Sequence, residues 1–304
     1  MNSIRNRIIH LHRCRGVTRR TIFRMLSIDP ALSSIYHLSS TQLSQTFSIP
    51  QKQSISLYQD IHNPKLLLEK KQDIAPYTIL TVVDELYPTV LKTIKDPPLV
   101  LYALGDLSLL KQTPALSVIG TRLPSQNARN KMKLILPALL QEKWVIVSGM
   151  AMGIDSFAHQ FALGNNGKTI AVLGGGFQHI YPKQNITLFD QITKKGLVLS
   201  EYPPNQSPAK HHFPERNRII SGLSFGTLVV EAKEKSGTLI TVDQALDQGR
   251  EVYAIPDSPT VPESIGCNRM IQDGAKLVIH PDDILDDWNA AKEIWINQLQ
   301  DETL

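Results

Sequence analysis

The chain has 304 residues, 42% of them hydrophobic, which is enough apolar material for a large core beside a smaller one and excludes a disordered scaffold. Its two cysteines, Cys14 and Cys267, make neither a disulfide framework nor a metal-type pair, and no segment approaches about 18 uninterrupted apolar residues, so a reduced, cytoplasmic protein without a membrane helix is expected. The net charge of +4 is uneven: residues 1–76 carry 11 Lys and Arg against 4 Asp and Glu, residues 77–285 carry 20 against 19, and residues 286–304 carry 1 against 5, so a polyanion site in the middle of the chain has to gather its cations locally.

From Ile4 to Leu68 the apolar residues Ile8, Ile9, Leu11, Ile22, Phe23, Leu26, Leu32, Ile35 and Leu43 recur at helical spacing, punctuated by Gly16, Pro30 and Pro50. This predicts four or five short helices in an N-terminal domain over residues 1–76. Arg15-Gly16-Val17-Thr18 ahead of a helix has the form of a helix-hairpin-helix turn, whose backbone amides can touch a phosphate; an ordinary helix connection is the alternative. The stretch from Ile79 to Leu109 mixes short apolar runs with prolines and reads as an extension of the sheet that follows.

Beyond it, apolar runs near residues 116–119, 144–147, 169–173, 197–200, 227–230, 251–255 and 276–279 read as strands. Helical periods fit between them at 125–141, 154–163, 185–193, 214–223 and 239–248. Apolar strands separated by helices imply parallel βαβ units covered on both faces, a doubly wound, Rossmann-like parallel sheet over residues 77–285. Ligands of such sheets sit at the carboxyl ends of the strands. There the chain places Gly120-Thr121-Arg122, then Ser148-Gly149-Met150, then three glycines from Gly174, with Tyr181-Pro182-Lys183 beyond. Glu201-Tyr202 leads to Lys210 and Phe213, and Glu231 to Ser236-Gly237-Thr238. Glycines let a backbone approach an anion and helix starts offer free N–H groups, so the cluster predicts a phosphate-lined groove with Arg122, Lys183 and Lys210 on its rim. Taken singly, each glycine loop is equally explained by turn geometry, and Phe213 and Tyr181 by core packing rather than base stacking. In Phe213-Pro214-Glu215-Arg216-Asn217-Arg218, the proline suits an early helical position, which predicts two arginines and an amide at a helix start, where an anion is favoured. Capping and solvating a surface helix is the alternative role for these arginines.

Seven ordered motifs between about Tyr87 and Leu285 carry a resemblance to a known family. They are Ile119-Gly120-Thr121-Arg122, Ser148 to Asp155 with His159, Tyr181 to Asn185, Ser200 to Pro204, Phe213 to Ile220, Val230-Glu231-Ala232 and Ser236 to Thr241. This set closely resembles the DNA-processing protein A (DprA/Smf) family. The resemblance implies a protein that binds single-stranded DNA without sequence preference, forms a homodimer and loads the recombinase RecA during natural transformation. From the residues themselves no turnover, no cofactor and no metal are expected. Carried onto this chain, the family's DNA-contacting positions are Arg122, Lys183, Lys210 and Phe213, with Arg216 and Arg218 shaping the pocket; the glycine loops and helix starts add Gly120, Gly149, Asn217, Ser236 and Gly237 to the expected nucleic-acid-binding set. The N-terminal helices resemble the family's sterile-alpha-motif-like (SAM-like) domain. The chain departs from the family at Pro256-Asp257, usually Pro-Gly, and at Gly266-Cys267-Asn268, usually Gly-Thr-Asn. Residues 286–304 read as an acidic tail, too short for the winged-helix domain that many members carry.

Two enzyme readings compete. For a nicotinamide-dependent dehydrogenase the G-x-G-x-x-G fingerprint fails at His179. The chain also resembles the lysine-decarboxylase-like nucleotide N-ribohydrolases, whose Gly-Thr-x-x-Glu motif appears here as Gly237-Thr238-Leu239-Ile240-Thr241, a hydroxyl replacing the acid-base carboxylate. Asp155 and His159, four residues apart, share a helix face and are expected to pair. The adjacent His211 and His212 lack ligand-spaced partners. Glu201 and Glu231 are expected to bind backbone or arginine groups.

Overall fold

The structure is a computed structural model that describes residues 3–74 and 76–301. The chain divides into two compact units, residues 1–87 with 96–102, and residues 88–95 with 103–304.

In the first unit, helices α1 (Ile4–Arg13), α2 (Arg19–Ile28), α3 (Ser40–Phe47), α4 (Gln51–Ile61) and α5 (Pro64–Ile74) precede strand β1 (Thr78–Thr81), and β2 (Val100–Gly105) begins there. Ser3, Thr18 and Ser39 cap the first three helices through their hydroxyl oxygens, and Gln42 completes a capping box with Ser39. Helices α1 to α4 supply the core with Ile8, Ile9, Leu11, Met25, Leu43, Phe47 and Leu57, all fully buried, joined by Ile35 from the turn between α2 and α3. Much of the basic excess of this region is neutralised within the unit. Arg5 pairs with Asp84, Arg13 with Glu69 and Asp73, Arg15 with Asp60, and Arg19 with Asp96.

The second unit contains α6 (Thr89–Lys92) and then strands β3 (Ala115–Ile119), β4 (Val145–Ser148), β5 (Lys168–Leu173), β6 (Leu197–Ser200), β7 (Gly226–Val229), β8 (Glu251–Ala254) and β9 (Lys276–Leu277). They alternate with α7 (Ala128–Gln141), α8 (Ile154–Gly164), α9 (Ile186–Lys195), α10 (His212–Gly222), α11 (Thr238–Asp247) and α12 (Ile265–Gln272). The strands lie in the order β6-β5-β4-β3-β7-β8-β9, and each neighbouring pair is parallel. Every residue of β3, β4, β6 and β7 is buried, as strands covered on both faces must be. From β3 the chain winds outward to β6, then returns to the other side of β3 for β7. Strand order therefore reverses between β3 and β7, and the crevice at their carboxyl ends is the topological switch point of a doubly wound sheet.

Two expectations are corrected. Residues 282–301 form a helix, α13 (Asp282–Asp301), where the sequence suggested an acidic tail; residues 302–304 of that tail lie outside the described residues. Ile284 is fully buried in the core, and Trp288, Ala291 and Trp295 pack against it, with Trp288 edge-on to Trp144 at 5.8 Å. The positions 284, 288, 291 and 295 mark one helical face beneath the acidic one. Helix α10 begins at His212, so Arg216, Asn217 and Arg218 lie beyond its first turn rather than at its start.

Candidate nucleic-acid interface

A groove of about 710 Å³ opens at the switch point. The end of β3 contributes Gly120, Thr121, Arg122 and Leu123. Lys210, Phe213, Arg216 and Asn217 come from α10 and the turn before it, and Lys233, Lys235, Ser236 and Gly237 from the loop after β7. Among the described residues, five cationic side chains line it, Arg122, Lys210, Arg216, Lys233 and Lys235, against one carboxylate, Asp155.

The loop carrying Arg122 is held from beneath. The Thr121 amide donates to the Glu231 carbonyl at 2.8 Å, and the Glu231 carboxylate accepts from the Ser125 amide at 2.8 Å and the Ser125 hydroxyl at 2.6 Å. Lys131, buried in the first turn of α7, donates to Glu231 at 2.9 Å and to Ser264 at 2.9 Å, and pairs with Asp257 at 2.7 Å. One ammonium thus ties the ends of β3, β7 and β8 together. Both carboxylates push the Lys131 pKa up, against the desolvation that would lower it, and Lys131 in turn holds the Asp257 carboxyl down. Asp257, where the resembling family usually has glycine, is one of its two ionic partners.

Arg216 forms the floor. It is 4% exposed, and its guanidinium donates to the Gly149 carbonyl at 2.5 Å and to the Val172 carbonyl. Burial lowers its pKa to about 10, which still leaves it charged at neutral pH. Asp155 lies close by and accepts from the Gly149 amide at 3.2 Å; burial pushes its carboxyl up and Arg216 opposes that shift. A Cβ at Gly149 would stand 2.4 Å from the guanidinium, so a side chain there would have to displace it. Above the floor the Phe213 ring is half-buried, with the Arg122 guanidinium 5.9 Å from its centroid and the exposed Tyr181 ring 5.6 Å away at 48°. The three side chains thus make one aromatic and cationic cluster centred on Phe213.

The structure brings Gly120, Arg122, Lys210, Phe213, Arg216, Asn217, Ser236 and Gly237 into one groove. Three other expected residues stand outside its lining. Gly149 lies beneath Arg216, and Lys183 is exposed two residues past Tyr181. Arg218 is buried and makes two 2.7 Å contacts with the Glu201 carboxylate. Residues two apart on a helix point to opposite sides, so Arg216 and Arg218 cannot serve one cavity. Lys233 and Lys235 were not anticipated; their place in the loop after β7, between Glu231 and Ser236, is the signal that could have found them. The expected Asp155–His159 pair is absent. Instead His159 Nδ1 donates to the Thr169 hydroxyl at 2.7 Å, because that hydroxyl itself donates to the Ile146 carbonyl. In the first unit, the Arg15 amide donates to Asp60 at 2.8 Å, and a Cβ on Gly16 would stand 2.1 Å from the Gln53 carbonyl, so this turn is packed inward on α4, as in the ordinary helix connection that was the alternative to a phosphate-binding turn.

Among the described residues no group of three or more His, Cys, Asp or Glu is placed to hold a metal ion, and no helix is long and apolar enough to cross a membrane. Thr241 lines the groove, so a hydroxyl stands where a hydrolase glutamate was sought.

Residues 78–289 match the family model described as DNA recombination-mediator protein A. The chain is 43% identical over 263 residues to the DNA processing protein DprA of Bacillus subtilis, covering 85% of this chain and 86% of that protein. It is also 43% identical over 232 residues to the DprA of Streptococcus pneumoniae, covering 73% and 82%. An X-ray structure of the Streptococcus pneumoniae protein superposes with a TM-score of 0.82 at 38% identity, covering 92% of this chain and 97% of that one. A structure of DNA processing protein A from Helicobacter pylori, solved for its single-stranded DNA binding mode, superposes at 0.62 with 29% identity over 70% of this chain and 96% of that one.

Proposed function

The chain belongs to the DNA recombination-mediator protein A family, and from that premise we propose that it binds single-stranded DNA in the groove between β3 and β7, without sequence preference, and helps load RecA onto the bound strand. The observation that carries this reading is the convergence of five cations on one cleft beside a half-buried Phe213. Arg122, Lys210, Lys233 and Lys235 take successive phosphates, Arg216 supplies a fixed positive floor, and the Phe213 and Tyr181 rings receive unstacked bases. Lys183 extends the cationic path past Tyr181. Glycine and helix-start amides at Gly120, Ser236 and Gly237 let the backbone come close. Because every base has a π-face, stacking of this kind discriminates against duplex rather than among sequences, by roughly 1–3 kcal/mol per base. The single-stranded DNA binding mode of the Helicobacter pylori relative supports the same ligand class. Binding proceeds without turnover, and the protein acts as a cytoplasmic homodimer.

The test is a titration of labelled oligo-dT against a duplex of equal length, with mass followed by light scattering. Tight binding of the single strand by a species of twice the monomer mass is expected. Equal affinity for the duplex would remove the base-stacking component. For the loading step, adding the protein should shorten the lag before RecA hydrolyses ATP on single strands coated with single-strand-binding protein. Release of free base from a nucleoside monophosphate would instead favour the hydrolase reading.

A further inference from the structure

Charge and aromatic surface leave two exposed aliphatic side chains of the groove without a role. Leu123 is 70% exposed and Ile240 is 42% exposed, yet both line the cavity that holds the five cations. Scattered surface aliphatics are ordinary; two of them kept in water inside a cationic cleft are not. Both also stand on fixed backbone. The Leu123 amide donates to the Thr121 hydroxyl at 3.2 Å, on the loop anchored through Ser125 to Glu231. Ile240 lies in the first turn of α11, whose start is held where the Thr238 amide donates to the Ser236 hydroxyl at 3.2 Å.

We propose that Leu123 and Ile240 give the groove a second base-contacting surface, in addition to the Phe213 and Tyr181 rings. This rests on the single-strand reading above and specifies how the strand lies in it. An occupant of this cleft has to offer anions to Arg122, Lys233 and Lys235 and, within the same ligand, flat apolar faces to the aliphatic pair. An unpaired polynucleotide offers both. Inorganic polyphosphate offers only the first, and a duplex keeps its base faces stacked inside.

The test compares the full-length protein with the Leu123→Ser/Ile240→Ser double variant, by fluorescence anisotropy, on oligo-dT and on an abasic deoxyribose-phosphate oligomer of equal length and charge. Wild type should bind oligo-dT more tightly than the abasic strand. The double variant should lose roughly tenfold in affinity for oligo-dT, change less than twofold on the abasic strand, and keep the wild-type dependence on salt. Leu123→Met/Ile240→Val should restore oligo-dT binding. Because both side chains are exposed, the thermal midpoint should stay at the wild-type value. Equal weakening on both strands, or no weakening on either, would overturn the assignment while leaving the cationic groove in place. Failure of wild type to bind oligo-dT at all would overturn the proposed function itself.

Discussion

Arg216 shows how a buried charge is retained under a groove. Two backbone carbonyls and the nearby Asp155 compensate its desolvation. The missing side chain at position 149 makes room for it. Gly149→Ala should therefore displace the guanidinium, destabilise the fold by about 1–3 kcal/mol as overpacking does, and weaken oligo-dT binding. Urea unfolding and anisotropy measure the two effects, and an alanine variant with wild-type values in both would disprove the role given to Arg216. His159 permits a second test at this scale. Burial holds its pKa down at about 3, against an ordinary 6.5. The unfolded chain takes up a proton in that window and the native chain does not, so the contribution to stability is complete above pH 6.5 and is lost as pH falls toward 3. Comparing wild type with His159→Gln in urea at pH 7 and pH 5.5, the stability gap should narrow by about 1 kcal/mol at the lower pH. A gap independent of pH would mean that His159 does not titrate as argued.

Among the elements, the strand-end loops depend on one another through Lys131. Removing that ammonium leaves Glu231 buried without its ionic partner, so Lys131→Met should cost about 3–5 kcal/mol in urea unfolding. Lys276→Ala, which removes the half-exposed contact with Asp287, should cost less than about 1 kcal/mol. Equal losses in the two variants would contradict the network. The alternation of strands and helices was legible in the sequence because strands buried on both faces read as unbroken apolar runs, and the glycine loops marked their ends. The Lys131–Glu231 pair was not legible, because 100 residues separate its members and only the folded sheet brings them together. Helix α13 was hidden for another reason: its acidic residues dominate the composition, whereas the four-residue apolar face from Ile284 to Trp295 carries the packing. The two arginines of α10 could have been separated from sequence alone, since their spacing of two already assigns them to opposite faces.

For the molecule as a whole, the near-neutral charge of residues 77–285 conceals a concentrated site: topology collects cations from three separate loops at the one place where strand order reverses. The exposed cations of the groove, Arg122, Lys210, Lys233 and Lys235, are four, and if each of them and Lys183 beside them meets one phosphate, log K for oligo-dT should fall with log salt at a slope of roughly −3.5, from −0.7 per phosphate. The most direct measurement is that salt series on wild type and on Arg122→Glu, each checked for an unchanged thermal midpoint. A strand held by these cations gives a steep wild-type slope and a charge-reversed protein that is still folded and has lost its affinity for the single strand. A flat slope, or undiminished binding by Arg122→Glu, would contradict it.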